Sequence, residues 1–250
     1  MLKQWKTFWK AFIPQKISNS FVLWVMFVLS YVGRVSQKKQ EQNECRNRKK
    51  LAEQLAVLLD GKYIENQQDW HQVWFGKGKN HNMSHSGCGI VAAYNAMAAL
   101  EKTAHGEIEN YKKIEHIISL IRFFETKGAV LGGRIGIEPK SIASFFEKNG
   151  YEVEFTKCSA KTTKEQINVI GNKNEVTIVT LYNNQMNIFE KIHNICITKE
   201  QSNFYAHNVG QSARKKEGTT LSEVILSSAS DPKVICIIGI CKRENNHINS

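Results

Sequence analysis

The sequence predicts an α+β fold, and three observations carry that reading. Helical patterns fill the first half of the chain and strand patterns dominate the second, without the regular alternation of a doubly wound sheet. With 250 residues, 42% hydrophobic and only three prolines, the chain can bury one sizeable core and carry an appendage, and it does not have a disordered composition. The net charge of +11 is uneven: residues 1–50 hold eleven basic side chains and two acidic ones, which leaves the remaining two hundred close to neutral. A nearly neutral body argues against a protein whose main surface grips nucleic acid.

The appendage spans residues 1–50. Trp5, Phe8, Trp9 and Phe12 recur at helical spacing with Lys6 and Lys10 between them, a pattern that suits a helix lying at a membrane interface. A nearly unbroken apolar run, FVLWVMFVLSYV, follows from Phe21 to Val32. It falls short of the roughly 20 apolar residues of a spanning helix, and no small-residue cleavage site follows it. Trp5, Trp9 and Trp24 lean the expectation toward the membrane, with a shallow helix or short tilted span in residues 17–33 and the body on the cytoplasmic side. The alternative is that the run packs against protein. A polar connector then leads into a connecting helix, residues 51–64, with Leu51, Leu55, Leu58 and Leu59 as its stripe and Gly61 as its stop. The basic cluster before it has no interleaved aromatics, so nucleic acid is not expected as a partner.

The body covers residues 65–245. GKGKNHNMSHSGCG, residues 76–89, is polar and glycine-rich, and it gives way to a run in which Ile90, Ala93, Tyr94, Met97 and Leu100 repeat at three and four. That is the period of a buried helix, and its alanines allow close packing. Further helices are expected at 111–126, at 139–148 with Pro139 at its start, and at Leu221–Ser227. Strands are expected at 151–155, 175–183, 192–199, 203–209 and 233–242. The six cysteines form no CxxC, and Cys196, Cys236 and Cys241 lie in apolar runs, which favours free thiols in a reducing compartment. No ligand spacing suits a metal, and no glycine-rich loop has the spacing of a phosphate cradle, so neither metal nor cofactor is expected.

Cys88 stands between Gly87 and Gly89 in the first turn of the strongest helix. Unpaired N–H groups and the helix dipole stabilise a thiolate there, and flanking glycines leave room for a substrate carbonyl. A nucleophilic cysteine needs an imidazole to take its proton and a third group to orient that imidazole. His193 heads one strand and Asn208 ends the next, so a turn near Glu200 and Gln201 brings them to one sheet edge. The side chain of Asn208 is then expected to hold the His193 ring. His207, on the opposite strand face from Asn208, is the competing base.

A Gly-Cys-Gly start to a buried helix, a later strand-borne histidine and an asparagine ending the following strand resemble the papain-like cysteine peptidase superfamily. The size and the fifteen-residue gap from His193 to Asn208 are similar to its C39-like branch, related to bacteriocin-processing peptidase domains, although that branch usually has Asp at the third position. The segment IGIEPKSIASFFEKNGYEV also resembles the helix and strand that follow the family's nucleophile helix. The resemblance spans roughly residues 65 to 245. It implies a papain-like fold with the nucleophile helix packed on an antiparallel sheet. It also implies Cys88 as nucleophile, His193 as base and acid, Asn208 as orienter and Asn82 in place of the family's oxyanion glutamine, six residues before the nucleophile. The implied activity is thiol-dependent hydrolysis of a peptide or small acyl substrate. A non-catalytic binding or scaffold protein of the same fold, or an acyl or peptidyl transferase using the same site, is the alternative.

Overall fold

The structure, a computed structural model, describes residues 18–32, 34–59, 62–78, 81–101, 110–183, 192–209 and 216–243. Its helices are α1 (Asn19–Tyr31), α2 (Gln37–Leu58), α3 (Met83–Ser86), α4 (Cys88–Leu100), α5 (Asn110–Thr126), α6 (Pro139–Lys148), α7 (Lys164–Lys173) and α8 (Leu221–Ser227), with a 3-10 turn at Gln67–Trp70. The strands are β1 (Ala129–Val130), β2 (Gly136–Ile137), β3 (Tyr151–Lys157), β4 (Val176–Asn183), β5 (His193–Glu200), β6 (Asn203–His207), β7 (Glu217–Gly218) and β8 (Pro232–Lys242). β1 and β2 form a small hairpin, and the other strands form one antiparallel sheet in the order β3-β8-β4-β5-β6-β7. This is a mixed α+β fold with an antiparallel sheet packed against several helices.

Strand alternation divides the sheet into two faces. Val176, Ile178, Cys196, Ile238 and Ile240 join the core shared with α4, α5 and α6. Val179, Leu181, Ile195, Ile197 and Ile237 pack instead with Leu221, Val224 and Ile225 of α8. Both faces being covered explains why these strands read as continuous apolar runs. Ile90, Val91, Ala92, Ala93 and Ala96 are fully buried, so α4 lies close over β4 and β5 with its first turn above the start of β5.

The β1–β2 hairpin, β7, α3 and the 3-10 turn were not expected, and two longer elements also differ from the sequence expectation. The polar stretch read as a connector is helical from Gln37, because its asparagines bond inward. Asn43 Nδ2 donates to Gly76 O at 2.9 Å, and Asn47 exchanges hydrogen bonds with the Trp74 carbonyl and amide at 2.8 and 2.7 Å. Helix α7 was not legible because its apolar set is thin, chiefly Ile167 and Ile170. It is started by a capping box in which the Thr163 hydroxyl accepts from Gln166 N–H and the Gln166 side chain accepts from Thr163 N–H.

The expected membrane association and membrane-side localisation are overturned. No helix among the described residues is long and apolar enough to cross a membrane. The apolar run forms α1, which lays Val22, Leu23 and Met26 against Val130, Ile235 and Cys236 of the body. Ser18 caps it, and Asn19 Nδ2 pins its start by donating to the carbonyls of Cys158 and Val234, both at 2.8 Å. Farther along, the Leu29 carbonyl accepts from Leu131 N–H at 3.0 Å. The run therefore buries one face on protein, while Phe21, Phe27, Val28, Tyr31 and Val32 stay exposed on the other. Trp24 stays exposed on the outer face, while Trp5, Phe8, Trp9 and Phe12 lie outside the described residues.

Candidate active site

Cys88 is the first residue of α4, and Gly87 before it supplies no side-chain cap. The glycines around it have steric work to do. A Cβ on Gly87 would stand 2.6 Å from the Met83 carbonyl oxygen, and one on Gly89 would stand 2.9 Å from Ile137 Cβ and 3.4 Å from Asn194 Nδ2. Glycine at 89 thus lets the β2 hairpin and the start of β5 close on the first turn of α4.

The structure brings Cys88 and His193 together as hydrogen-bond partners. Burial would push the Cys88 thiol up, but the bond and charge of His193, with the amide groups of Asn194, outweigh it and hold the thiol below its ordinary value. Burial likewise draws His193 down, yet its bond to Cys88, the thiolate charge and the Asn208 carbonyl together hold it above the ordinary imidazole value. The two directions agree: the contact shifts both groups toward their charged forms. The thiols of Cys158 and Cys236 contrast with it, since burial pushes them up to about 11 and about 12.

Asn208 meets His193 through a different atom from the one expected. His193 Nε2 is 2.7 Å from the main-chain carbonyl oxygen of Asn208. That contact makes Nε2 the donor and leaves the other ring nitrogen to the thiol. The β5–β6 ladder ends at the Cys196–His207 pair, and Asn208, with φ 57°, turns out of it just beyond. Its side chain points elsewhere. Oδ1 accepts from Gln67 N–H at 3.0 Å, and Nδ2 donates to Gln67 Oε1 at 3.2 Å. Gln67 Nε2 in turn donates to the carbonyls of Met83, at 2.7 Å, and Ser84, at 3.1 Å, in the turn that delivers Cys88. One residue therefore braces the histidine with its backbone and the cysteine-bearing loop with its side chain.

His207 is held away from the thiol. Its Nδ1 lies 2.6 Å from Glu65 Oε1, its Nε2 lies 3.0 Å from Thr198 Oγ1, and the Tyr63 ring packs on it at a tilt of 33°, with 4.0 Å between centroids. Together with Asn95, which exchanges bonds with both main-chain groups of Ile64, these contacts strap residues 63–67 across the molecule. Asn82 is the N-cap of α3, its Oδ1 accepting from His85 N–H at 3.0 Å, and it stays half-exposed. Among the described residues no group of three or more His, Cys, Asp or Glu side chains could hold a metal.

Sequence reasoning missed two participants. Gln67 sits in a polar loop with no pattern to mark it. Asn194 sits in a strand directly after His193, and its Nδ2 lies 3.5 Å from Cys88 Sγ. The only available signal was an amide side chain in an otherwise apolar run.

Fold and site together define a mixed α+β protein with a buried thiol and imidazole paired where a helix start meets a strand start. Compared with protein-family models, curated proteins and solved structures, the chain matches none of them.

Proposed function

We propose that this chain is a papain-like thiol hydrolase, in the manner of C39-like peptidases, acting on a peptide or related acyl substrate. The observation that carries the reading is the hydrogen-bonded Cys88–His193 pair at the N-terminus of a buried helix, with the far ring nitrogen pinned by the Asn208 carbonyl. In this reading the Cys88 thiolate attacks the substrate carbonyl. The developing oxyanion takes the Cys88 N–H, unpaired in the first helical turn, and the Asn82 amide from across the loop. His193 gives its proton to the departing group, leaving a thioester on Cys88. It then takes a proton from water, whose attack releases the acid and restores the thiol. A transferase would share every step but the last, with an amine or alcohol in place of water.

The test is an activated peptide ester followed by intact-protein mass spectrometry. The expected result is an acyl adduct on Cys88 that decays in water, absent in Cys88→Ala and reduced at least about 100-fold in formation rate in His193→Ala. Asn82→Asp, which keeps the helix cap but removes the donor, should slow acylation by about 100-fold. Wild-type protein that forms no adduct at Cys88 overturns the proposal. Decay that needs an added amine rather than water assigns the site to transfer.

A further inference from the structure

Asn194 reads in the sequence as one more strand residue, yet it is the end of a buried polar row aimed at the sulfur. β4 lies between β8 and β5, and in its register Thr180 stands directly opposite Cys236 on one side and Asn194 on the other. All three side chains are essentially inaccessible. The row runs across the sheet face on which α4 sits, and it ends under the first turn of that helix.

The hydrogen bonds of the row have a direction. Thr180 Oγ1 donates to Asn194 Oδ1 at 2.7 Å, which turns the amide so that Nδ2 faces Cys88 Sγ at 3.5 Å, a normal reach for sulfur. The Cys236 thiol stands behind Thr180 in the same row, and burial pushes it up to about 12. A hydroxyl has one proton, and here it points toward Asn194. Thr180 and Asn194 thus each donate to the next group on the way to Cys88. Gly89 lies beside the last link: a Cβ there would touch Asn194 Nδ2 at 3.4 Å and crowd Ile137 Cβ at 2.9 Å.

We propose that Asn194 is a catalytic residue of this site: its amide holds the Cys88 thiolate together with His193, and Thr180, backed by Cys236, is the positioning residue that fixes that amide as a donor. The proposal rests on the reading of Cys88 as the nucleophile. It has a kinetic signature that mere packing would lack. A hydrogen bond to sulfur favours the thiolate and makes it less nucleophilic, because the charge it stabilises is the charge that attacks. Losing the bond should therefore raise the thiol titration while raising the reactivity of each thiolate.

The experiment is the rate of iodoacetamide alkylation at Cys88 in the full chain from pH 5 to 10, read by peptide mass spectrometry. Asn194→Ala should move the midpoint up by about one pH unit and raise the high-pH plateau roughly twofold to threefold. Thr180→Val, close to isosteric, should move both in the same directions by less, and it carries the test if Asn194→Ala does not fold by circular dichroism. Wild-type midpoints in both variants, with wild-type Cys88 itself titrating low, overturn the role of Asn194 and leave the nucleophile standing. A wild-type Cys88 that titrates like an ordinary thiol near about 8.5 removes the nucleophile and this proposal with it.

Discussion

Asn208 separates what its backbone does from what its side chain does, and single substitutions can tell the two apart. Its φ of 57° is a conformation that glycine adopts freely and alanine does not. Asn208→Gly keeps the carbonyl that holds His193 and deletes both bonds to Gln67. It should lower stability by about 1–3 kcal/mol, the cost of an unpaired buried Gln67 N–H, while leaving the pH profile of Cys88 alkylation near wild type. Asn208→Ala should cost about 1–2 kcal/mol more through backbone strain. Urea unfolding measures the first effect and alkylation the second. A glycine variant whose thiol titrates as high as that of His193→Ala would make the side chain, and not the carbonyl, the brace. The sequence pointed to this residue but not to the atom, because the left-handed turn that rotates its carbonyl onto the ring depends on where the β5–β6 ladder stops.

Helix α1 shows the same limit at the scale of an element. Its apolar run had to be buried somewhere, and hydrophobicity alone does not say against what. The deciding residue was Asn19, a polar side chain that ties the helix start to the carbonyls of Cys158 and Val234 on the chain around β3 and β8. Asn19→Ala should cost about 1–3 kcal/mol by leaving those carbonyls without their donor, and Met26→Ala about 2–5 kcal/mol through the cavity beside Ile235 and Cys236. Trp24→Ser, on the exposed face, should change stability by less than about 0.5 kcal/mol. Unchanged urea midpoints for Asn19→Ala and Met26→Ala would mean that α1 is not part of the cooperative unit. Strands β3, β4, β5, β6 and β8 were legible as apolar or alternating runs and α4, α5, α6 and α8 from their helical period, whereas β1, β2 and β7, two residues each, are too short to carry a pattern. Helix α7 was not, since two isoleucines make too little pattern.

For the whole molecule, pH dependence of stability is set in part by Glu125. This carboxyl on α5 is buried and accepts from Asn43 of α2, at 2.5 Å, and from Gly76 N–H, at 2.7 Å, joining two helices to the loop that precedes the site. Burial outweighs those bonds and pushes it from 4.5 up to about 7. Between these values the folded chain keeps a proton that the unfolded chain has released, so stability falls as pH rises through this window. The loss reaches roughly 3 kcal/mol above it. Urea midpoints from pH 5 to 8 should therefore decline in the wild type and flatten in Glu125→Gln. A slope unchanged by that substitution would place the titration elsewhere.

The sheet order has a consequence for how the molecule comes to exist. β8, residues 232–242, lies between β3 and β4, so β3 has no neighbour in the sheet until the ribosome has supplied that strand. Cys88 emerges more than a hundred residues before His193 and Asn194, and earlier still before Cys236 at the back of the polar row. A nascent chain thus carries an ordinary, weakly reactive thiol through most of its synthesis. The contacts that would sharpen it span 106 residues to Asn194 and, through Gln67, 141 residues to Asn208, separations that form late because loop closure must precede them. The surroundings that lower the Cys88 thiol therefore arrive only with the finished sheet, after the exposed and unfolded stages of synthesis.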